Sequence, residues 1–270
     1  MHEVEVKPYL DTGINMLLPY LLGAGQKKGV RYQTLLAISA FITAADRLIL
    51  PHRDNLLKIL YEIVNDKHDQ ELKGAALLCA GNLAQACGKE NFPMEALEEF
   101  TKFGLSCIQS ADSKFELKST AIGYFSEICK IMKSQLENIF PIILDATIKA
   151  CESEEGMNVI EKEKEGFSLD SDSDDDEGEV GGIDIDPDFL DEKCAAVHAI
   201  GNLALNCAGL MQPHLERVWK ILEELGGYYH ENIRYHVCLT LTQISFGLLR
   251  LASGNPDTDD RFNWTKGLPV

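Results

Sequence analysis

The strongest chemical signal in this chain is a cluster of seven carboxylates within ten positions near its middle. They are Asp170, Asp172, Asp174, Asp175, Asp176, Glu177 and Glu179. Carboxylates at this density create a negative electrostatic field that attracts cationic groups. Dissolved salt screens this field. The cluster therefore predicts an anionic arm for a lysine-rich partner. The competing interpretation is a solvated spacer that only aids solubility.

The alternating aspartates also resemble the opening of a calcium-binding EF-hand loop. Such a loop needs a glycine at its sixth position and a helix before it. Glu177 occupies the sixth position here, and the preceding residues show no helical pattern. We therefore expect neither a metal site nor a cofactor. Ser171 and Ser173 each have an acid three residues on, which makes them candidate sites for an acid-directed kinase.

The cluster lies in a longer stretch, residues 152–192, that differs in charge from the rest of the chain. This stretch contains 18 acidic residues and two lysines, whereas the whole 270-residue chain has a net charge of −18. The remainder is therefore nearly neutral, and without a basic patch it does not predict direct nucleic-acid binding. Residues 152–187 also lack hydrophobic periodicity, so we expect them to form a flexible loop.

The remainder of the chain repeats with a period of roughly 40 residues. A basic residue recurs in similar helical contexts at intervals of 42, 45, 75 and 41 residues, and the long interval contains the acidic stretch. The recurring residues are Arg31, Lys73, Lys118, Lys193 and Arg234. We expect this ladder of bases to be structural and to pair with acids in the turns of neighbouring repeats.

Each repeat is predicted to be a pair of helices, because its apolar residues recur at helical spacing. The predicted helices are 8–22, 30–46, 52–65, 69–87, 93–109, 114–132, 134–151, 188–208, 213–225 and 231–251. The fold class is therefore all-α, a solenoid of about five helix pairs in one array over residues 1–270. The acidic loop 152–187 is inserted within the fourth pair.

Several residues carry more specific structural expectations. Polar residues in the turns are predicted to cap the second helices, namely Asp69, Asp112, Asp191 and Asn232. Pro19 and Pro141 lie inside predicted first helices and should kink them. Gly81, in a second helix rich in small residues, is predicted to permit close helix approach. Trp219 is expected to be packed, and Trp264 either packs or clamps a lysine stem.

Asn82 and Asn202 occupy equivalent positions in two copies of Gly-Asn-Leu-Ala. One interpretation is that each amide bonds a neighbouring backbone carbonyl and fixes the stacking of the repeats. The other is that each amide binds the backbone of an extended partner. Glu127 and Asn206, one turn further along their helices, are candidates of the same kind.

Catalytic motifs are missing from the sequence, which contains no glycine-rich phosphate loop, Gly-x-Ser-x-Gly elbow or His-Glu-x-x-His. His198 and His236 fall in apolar helical positions and are predicted to be core histidines. Cys194, four residues before His198, gives only a weak signal for a nucleophile or a metal ligand. We predict that the chain is not an enzyme.

The eight cysteines and the absence of long apolar runs indicate the compartment. Most cysteines sit in apolar helical patterns and none forms Cys-x-x-Cys, which is typical of reduced thiols in a cytosolic or nuclear protein. We find no signal peptide and no uninterrupted apolar run of about 18 residues, so no membrane association is expected.

Helix pairs of this length, with a base early in the second helix and an aspartate in the turn, resemble HEAT repeats over residues 8–251. A HEAT array with a long acidic loop inside one repeat resembles the importin-beta (karyopherin) family of nuclear transport receptors. Two segments are similar to its importin four subgroup and the yeast ribosomal-protein importin: Glu165-Gly-Phe-Ser-Leu-Asp-Ser-Asp and Lys193-Cys-Ala-Ala-Val-His-Ala-Ile-Gly-Asn-Leu-Ala.

The resemblance implies a right-handed superhelical solenoid, of which this chain is a fragment, and a nuclear import receptor that shuttles between cytoplasm and nucleus. The implied partners are basic cargo with lysine-rich signals, such as histones and ribosomal proteins, Ran in its GTP form, and FG-repeat nucleoporins. The seven carboxylates, with Asn82 and Asn202, are then candidate cargo-binding residues. The alternatives are a HEAT scaffold subunit of a phosphatase or chromosome complex, and a histone chaperone.

Overall fold

The computed structural model describes residues 3–23, 25–66, 69–110, 115–154, 157–159, 183–185 and 187–254. Its α-helices are α1 Glu3–Leu22, α2 Lys28–Ala45, α3 Arg53–Asn65, α4 Gln70–Cys87, α5 Met94–Gln109, α6 Phe115–Met132, α7 Phe140–Glu152, α8 Pro187–Asn206, α9 Ala208–Met211, α10 Leu215–Gly226 and α11 Glu231–Ala252. Short 3-10 helices at Asp46–His52, Lys133–Leu136 and Gln212–His214 precede α3, α7 and α10.

These helices form five pairs, α1/α2, α3/α4, α5/α6, α7/α8 and α10/α11, and the second helices stack on one another in chain order. Among the largest fully buried side chains, Phe100 and Phe140 belong to the first helices α5 and α7, and Tyr124 and Phe125 belong to the second helix α6. The predicted all-α solenoid of about five helix pairs is therefore confirmed. The predicted helix bounds mostly agree with the structure within a few residues, because helical periodicity is a local property of the sequence.

Small residues set the spacing between stacked second helices. A Cβ atom added at Gly81 would lie 3.1 Å from Cδ2 of Tyr124 and 3.3 Å from Cβ of Glu127, both on α6. A Cβ atom on Gly201 of α8 would collide with the side-chain amide of Gln243 on α11. The predicted role of glycine in close helix approach is confirmed, since a larger residue would push the helices apart.

Three members of the ladder of bases cap the ends of first helices. Arg31 Nε donates to the carbonyl of Leu21 at 3.1 Å, and Arg234 Nη1 donates to the carbonyls of Tyr228 and Tyr229 at 2.6 and 2.7 Å. Lys193 makes the equivalent contacts described below. For these three bases the structural role is confirmed but the predicted acidic partners are wrong. Their partners are backbone carbonyls at the ends of α1 and α7 and, for Arg234, in the turn after α10, where carbonyls lack helical partners and attract cations.

The predicted caps of the second helices are correct in one case and wrong in two. Asp69 is the N-cap of α4 and accepts a hydrogen bond from Leu72 N at 3.2 Å. Asp191 and Asn232 instead lie inside α8 and α11. Pro141 occupies the first turn of α7, where a missing N–H costs nothing, so it starts the helix and does not kink it. Asp112 lies outside the described residues.

Pro19 lies inside α1, as the sequence pattern predicted. Its carbonyl accepts a hydrogen bond from Gly23 N at 2.9 Å, just beyond the last helical residue. Helix α1 therefore continues through this proline to Leu22, and the kink at Pro19 stays a prediction.

The acidic insertion leaves the array between α7, which ends at Glu152, and α8, which begins at Pro187. Two short strands, β1 Met157–Val159 and β2 Ile183–Ile185, pair antiparallel, with Met157 opposite Ile185 and Val159 opposite Ile183. The ladder places Val159 and Ile183, the described residues on either side of segment 160–182, opposite each other. It was not predicted from the sequence, because strands of three residues carry almost no periodic signal.

All eight cysteines are free thiols, and six are buried. Burial raises the pKa of Cys79 and of Cys151 to about 12, so these thiols stay protonated as small apolar groups. Five of these six lie in helices, as the sequence predicted, and Cys207 lies between α8 and α9. Cys194 is half-buried and Cys238 is exposed.

One stretch, Lys28–Asn65, has the length and mean hydropathy that a membrane-crossing helix needs, contrary to the expectation from uninterrupted apolar runs. In the structure its apolar residues Leu35, Ile38 and Ile42 are buried in the shared core. Core helices of folded domains often have this composition, since they are apolar on more than one face.

Candidate functional site

The acidic cluster itself lies outside the described residues. This applies to Asp170, Asp172, Asp174, Asp175, Asp176, Glu177 and Glu179, to the candidate phosphorylation sites Ser171 and Ser173, and to Trp264. Their roles stay predictions. The structure does describe the end of α7 and the start of α8, between which this segment leaves the array.

Lys193 on α8 connects that helix to the end of α7. Its side chain is 3% exposed, and Nζ donates to the carbonyl of Cys151 at 2.6 Å and to that of Ser153 at 2.8 Å. The ammonium also lies 5.1 Å from the centre of the Phe189 ring and 5.3 Å from that of Tyr228. Burial lowers the pKa of Lys193, while nearby acidic groups oppose this shift. One cation thus ties the end of α7 to α8 and to the fifth pair.

Asn202 and Asn82 act within the stack of second helices. Asn202 is 5% exposed, its Nδ2 donates to Ser126 Oγ at 2.8 Å, and its Oδ1 accepts from Gln243 Nε2 at 3.0 Å. Asn82 is half-buried and its Nδ2 donates to Ser39 Oγ at 2.8 Å. Both amides therefore join neighbouring helices, through side chains and not through the backbone carbonyls predicted.

Ser39, Ser126 and Gln243 complete this polar ladder, and they were not predicted from the sequence. Each follows its repeat's basic residue by eight or nine positions, as Asn82 and Asn202 do. The shared register was the available signal, but the residue types differ between repeats. Binding of cargo by the Asn202 amide would compete with the two buried hydrogen bonds that this amide already makes. The side chain of Asn82 is only half-buried. Of the two asparagines that are candidates for cargo binding, Asn82 is therefore the more accessible.

Glu127 and Asn206 are also engaged within the array. Glu127 Oε2 pairs with Lys130 Nζ at 2.6 Å, and Asn206 Nδ2 donates to the carbonyl of Asn202 at 2.8 Å. These contacts lie within single helices. They leave the cargo role of both residues a prediction.

His198 and His236 approach one another on neighbouring second helices. Their ring centres are 6.1 Å apart, and the Tyr235 ring meets His236 edge-on at 5.4 Å. Burial lowers the pKa of both histidines, and for His198 the nearby His236 and Lys130 add to the effect. These groups are therefore half-buried neutral imidazoles.

Cys194 does not have the environment of a reactive thiol. Burial raises its pKa, and the carboxylate of Asp191 adds to the rise. An activated nucleophile needs the opposite shift. Across the described residues, no group of three or more His, Cys, Asp or Glu side chains is arranged to hold a metal ion.

The lowered pKa values of the two histidines predict a pH dependence of stability. Just below pH 6.5 the unfolded chain binds protons that folded His198 and His236 do not bind, so the free energy of unfolding should fall as the pH falls through this range. Urea unfolding at about pH 7.5 and about pH 5.5 measures the change. The double variant His198→Gln/His236→Gln should lose part of it, and an undiminished pH dependence in that variant would contradict the assignment.

Trp219 is 58% exposed, so the prediction that it is packed is wrong. On α10 the buried face is formed by Val218, Ile221, Leu222 and Leu225. One residue corresponds to about 100° of rotation around a helix, which turns Trp219 away from that face. The residues next to Trp219 in the sequence did not indicate that it lies away from the buried face of α10.

No protein-family model matches the chain. Importin subunit beta-3 of Saccharomyces cerevisiae is 26% identical over 267 residues, which cover 97% of this chain and 24% of that protein. The crystal structure of Kap121p matches with a TM-score of 0.70 at 24% identity, covering 94% of this chain and 24% of Kap121p. Kap121p bound to Nup53p matches with a TM-score of 0.67 at 24% identity, covering 95% and 25%.

The chain thus spans about a quarter of the length of these relatives. The structural matches show that it shares the solenoid fold of Kap121p. They do not support the narrower resemblance to the importin four subgroup. Similarity of sequence over almost the whole chain, together with the shared fold, supports the resemblance to the importin-beta (karyopherin) family.

Proposed function

We propose that this chain is part of a nuclear transport receptor, and that its acidic segment binds basic protein cargo. The observation that carries the proposal is the concentration of charge, because a nearly neutral array of this family contains one stretch with 18 acidic residues and two lysines. Crystal structures of Kap121p bound to Pho4p and to Nup53p support protein ligands for receptors of this type.

The array and the acidic segment would contribute to cargo binding in different ways. Lys193 and the β1–β2 ladder hold described residues that flank the segment, so the segment is attached to the array at both sides. A lysine-rich cargo segment would be steered by the field of the acidic segment and form many screened contacts. The second helices would offer a second, helical surface, on which Asn82 is a half-buried amide. This arrangement needs no catalytic group.

The test replaces the seven clustered carboxylates by Asn or Gln in the 270-residue chain and leaves β1 and β2 unchanged. We expect affinity for a fluorescent histone-tail peptide to fall about tenfold or more at about 100 mM salt, because the arm loses its field. Fluorescence polarisation measures the affinity. The variant should also show a shallower dependence of affinity on salt.

A matched control removes the same number of charges from exposed glutamates elsewhere on the array. These are Glu62, Glu90, Glu98, Glu99, Glu137, Glu223 and Glu224. The control should bind the peptide nearly as well as the unmodified chain. Equal losses in both variants would mean that only net charge matters, and unchanged binding in the loop variant would remove the segment from the mechanism.

The acidic segment alone would also suit a histone chaperone, and Ran distinguishes the two functions. In a transport receptor of this family we propose that Ran in its GTP form displaces cargo and that FG-repeat nucleoporins bind the receptor as it shuttles between cytoplasm and nucleus. The test mixes the full-length protein with histone peptide and Ran-GTP. Displacement supports transport, whereas simultaneous binding of both ligands favours the chaperone.

A further inference from the structure

Two cysteines meet where the second helices of the third and fourth pairs stack. Cys129 lies near the end of α6 and Cys207 lies between α8 and α9, and both are buried. The thiol of Cys207 is hydrogen-bonded to the thiol of Cys129, and its Sγ is 3.9 Å from the carbonyl oxygen of Cys129. The two residues are 78 positions apart, so the stacking of the helix pairs is what brings them together.

Hydrogen bonds around the two thiols hold them in place. About one helical turn before the thiols, Asn202 Nδ2 donates to Ser126 Oγ at 2.8 Å, which joins α8 to α6. Cys129 Sγ donates to the carbonyl of Ser126 at 3.1 Å, and Cys207 Sγ lies 3.5 Å from the carbonyl oxygen of Lys133. The packing of α6 against α8 therefore keeps the two sulfur atoms close together.

Other buried thiols have different neighbours. The thiol of Cys79 is hydrogen-bonded to the side chain of Ser39, and the thiol of Cys151 lies near the ammonium of Lys193. A disulfide needs two cysteines that are already close, because the S–S bond is only about 2 Å long and distant cysteines cannot be joined without moving the backbone. The contact between Cys129 and Cys207 meets this requirement, whereas a contact with serine or lysine does not.

We propose that Cys129 and Cys207 are a redox-sensitive pair that forms a disulfide when the chain meets a peroxide. The bridge would join α6 to the end of α8 and so clamp the third pair to the fourth. It would also close a loop of the chain that contains the acidic stretch 152–192. The proposal depends on the stacking of the second helices and not on the proposed transport function.

The reaction balances with one molecule of hydrogen peroxide. The Cys207 thiol loses its proton and the thiolate attacks a peroxide oxygen, so that an S–O bond forms, the O–O bond breaks and the departing hydroxide takes up the proton as water. The Cys129 thiol then loses its proton, and its sulfur attacks the sulfur of the Cys207 sulfenic acid. The S–S bond forms, the S–O bond breaks, and the hydroxide leaves with the second proton as water. Two thiols together give up two electrons, and the peroxide is reduced to two water molecules.

Burial slows this reaction. It raises the pKa of the Cys129 thiol, and the neighbouring Cys207 adds to the rise, so little Cys129 thiolate is present at neutral pH. A peroxide molecule is small and uncharged, and the exposed Gly209 lies two residues after Cys207, so the surface is near the pair at this end of α8. We expect the bridge to form faster at about pH 8.5 than at about pH 7.

The test uses the 270-residue chain with its exposed Cys238 replaced by serine. The folded protein is treated with hydrogen peroxide at about pH 8.5, the remaining thiols are alkylated, and unreduced proteolytic peptides are identified by mass spectrometry. We expect the bridge between Cys129 and Cys207 to form at least about tenfold faster than any bridge that includes Cys79 or Cys151. The same treatment in concentrated urea should abolish this preference, because the stacking that pairs the thiols is lost.

The bridge should also stabilise the array. The oxidised chain is expected to have a Tm about 5 °C above that of the reduced chain, because the bridge restrains the unfolded state, and dithiothreitol should reverse the increase. The matched variants Cys207→Ser and Cys79→Ser each lose one buried thiol, and circular dichroism checks that both are folded. Oxidation should raise the Tm of Cys79→Ser and not that of Cys207→Ser.

Two results would overturn the proposal. One is the absence of the peptide that links Cys129 to Cys207 after oxidation of the folded chain, a measurement that does not depend on the folding of any variant of the pair. The other is an equal increase in Tm on oxidation of Cys207→Ser and Cys79→Ser, which would assign the stabilisation to a different bridge.

Discussion

Gly247→Ala is expected to lower the free energy of unfolding by about 3 kcal/mol. A Cβ atom at this position would collide with the carbonyl oxygen of Ala204, and would lie 3.1 Å from the carbonyl carbon of Ala204 and 3.2 Å from Cα of Leu205. These are backbone atoms of α8, so no rotamer change relieves the contact. Helix α11 would have to move away from α8, which would weaken the packing between the fourth and fifth pairs.

Urea unfolding followed by circular dichroism measures this loss. The control is Gly29→Ala in the first turn of α2, where an added Cβ meets nothing within 4 Å. This control should be neutral or stabilising by up to about 1 kcal/mol, because alanine favours helix. A Gly247→Ala protein as stable as the control would show that α8 and α11 do not approach as closely as the structure indicates.

Gly201→Ala is a useful comparison on the same pair of helices. The obstructing group there is the side-chain amide of Gln243, which can rotate away at the cost of its bond to Asn202. We expect a loss smaller than that at Gly247, about 1 to 2 kcal/mol. The order of the two variants tests whether backbone or side-chain contact limits the approach.

Lys193→Met is expected to cost about 3 kcal/mol of unfolding free energy. The substitution keeps the apolar stem but leaves the carbonyls of Cys151 and Ser153 without their cationic donor, and hydrogen bonds to charged groups contribute about 1.5 to 3 kcal/mol each. The burial that lowers the pKa of Lys193 offsets part of this contribution. A decrease of several degrees in Tm should accompany the loss.

The matched control is Lys73→Met, at the equivalent position of the second pair. Lys73 Nζ lies 5.8 Å from the Phe103 ring centre, a weaker contact than two hydrogen bonds. We expect this variant to lose less than about 1 kcal/mol. Limited proteolysis adds a second measurement, because Lys193→Met should expose the chain after Glu152 to cleavage and Lys73→Met should not. Equal stability and equal cleavage of the two variants would contradict the capping role of Lys193.

Local patterns in the sequence were sufficient to predict the helices, their pairing, the repeat and the position of the acidic segment in the chain. Helical periodicity and charge are local properties, so the bases Arg31 and Arg234 and the cap Asp69 could be recognised from nearby residues. The repeat register then placed the interruption between two helices of one pair, without any knowledge of their contacts.

The contacts between side chains on different helices could not be predicted in the same way. The partners of Asn202 are 76 and 41 residues away, and Lys193 bonds carbonyls 42 and 40 residues before it. Such contacts depend on the offset and rotation of stacked helices, which side-chain packing sets and periodicity does not. For the same reason the exposure of Trp219 could not be predicted, since it results from how α10 is placed against its neighbours.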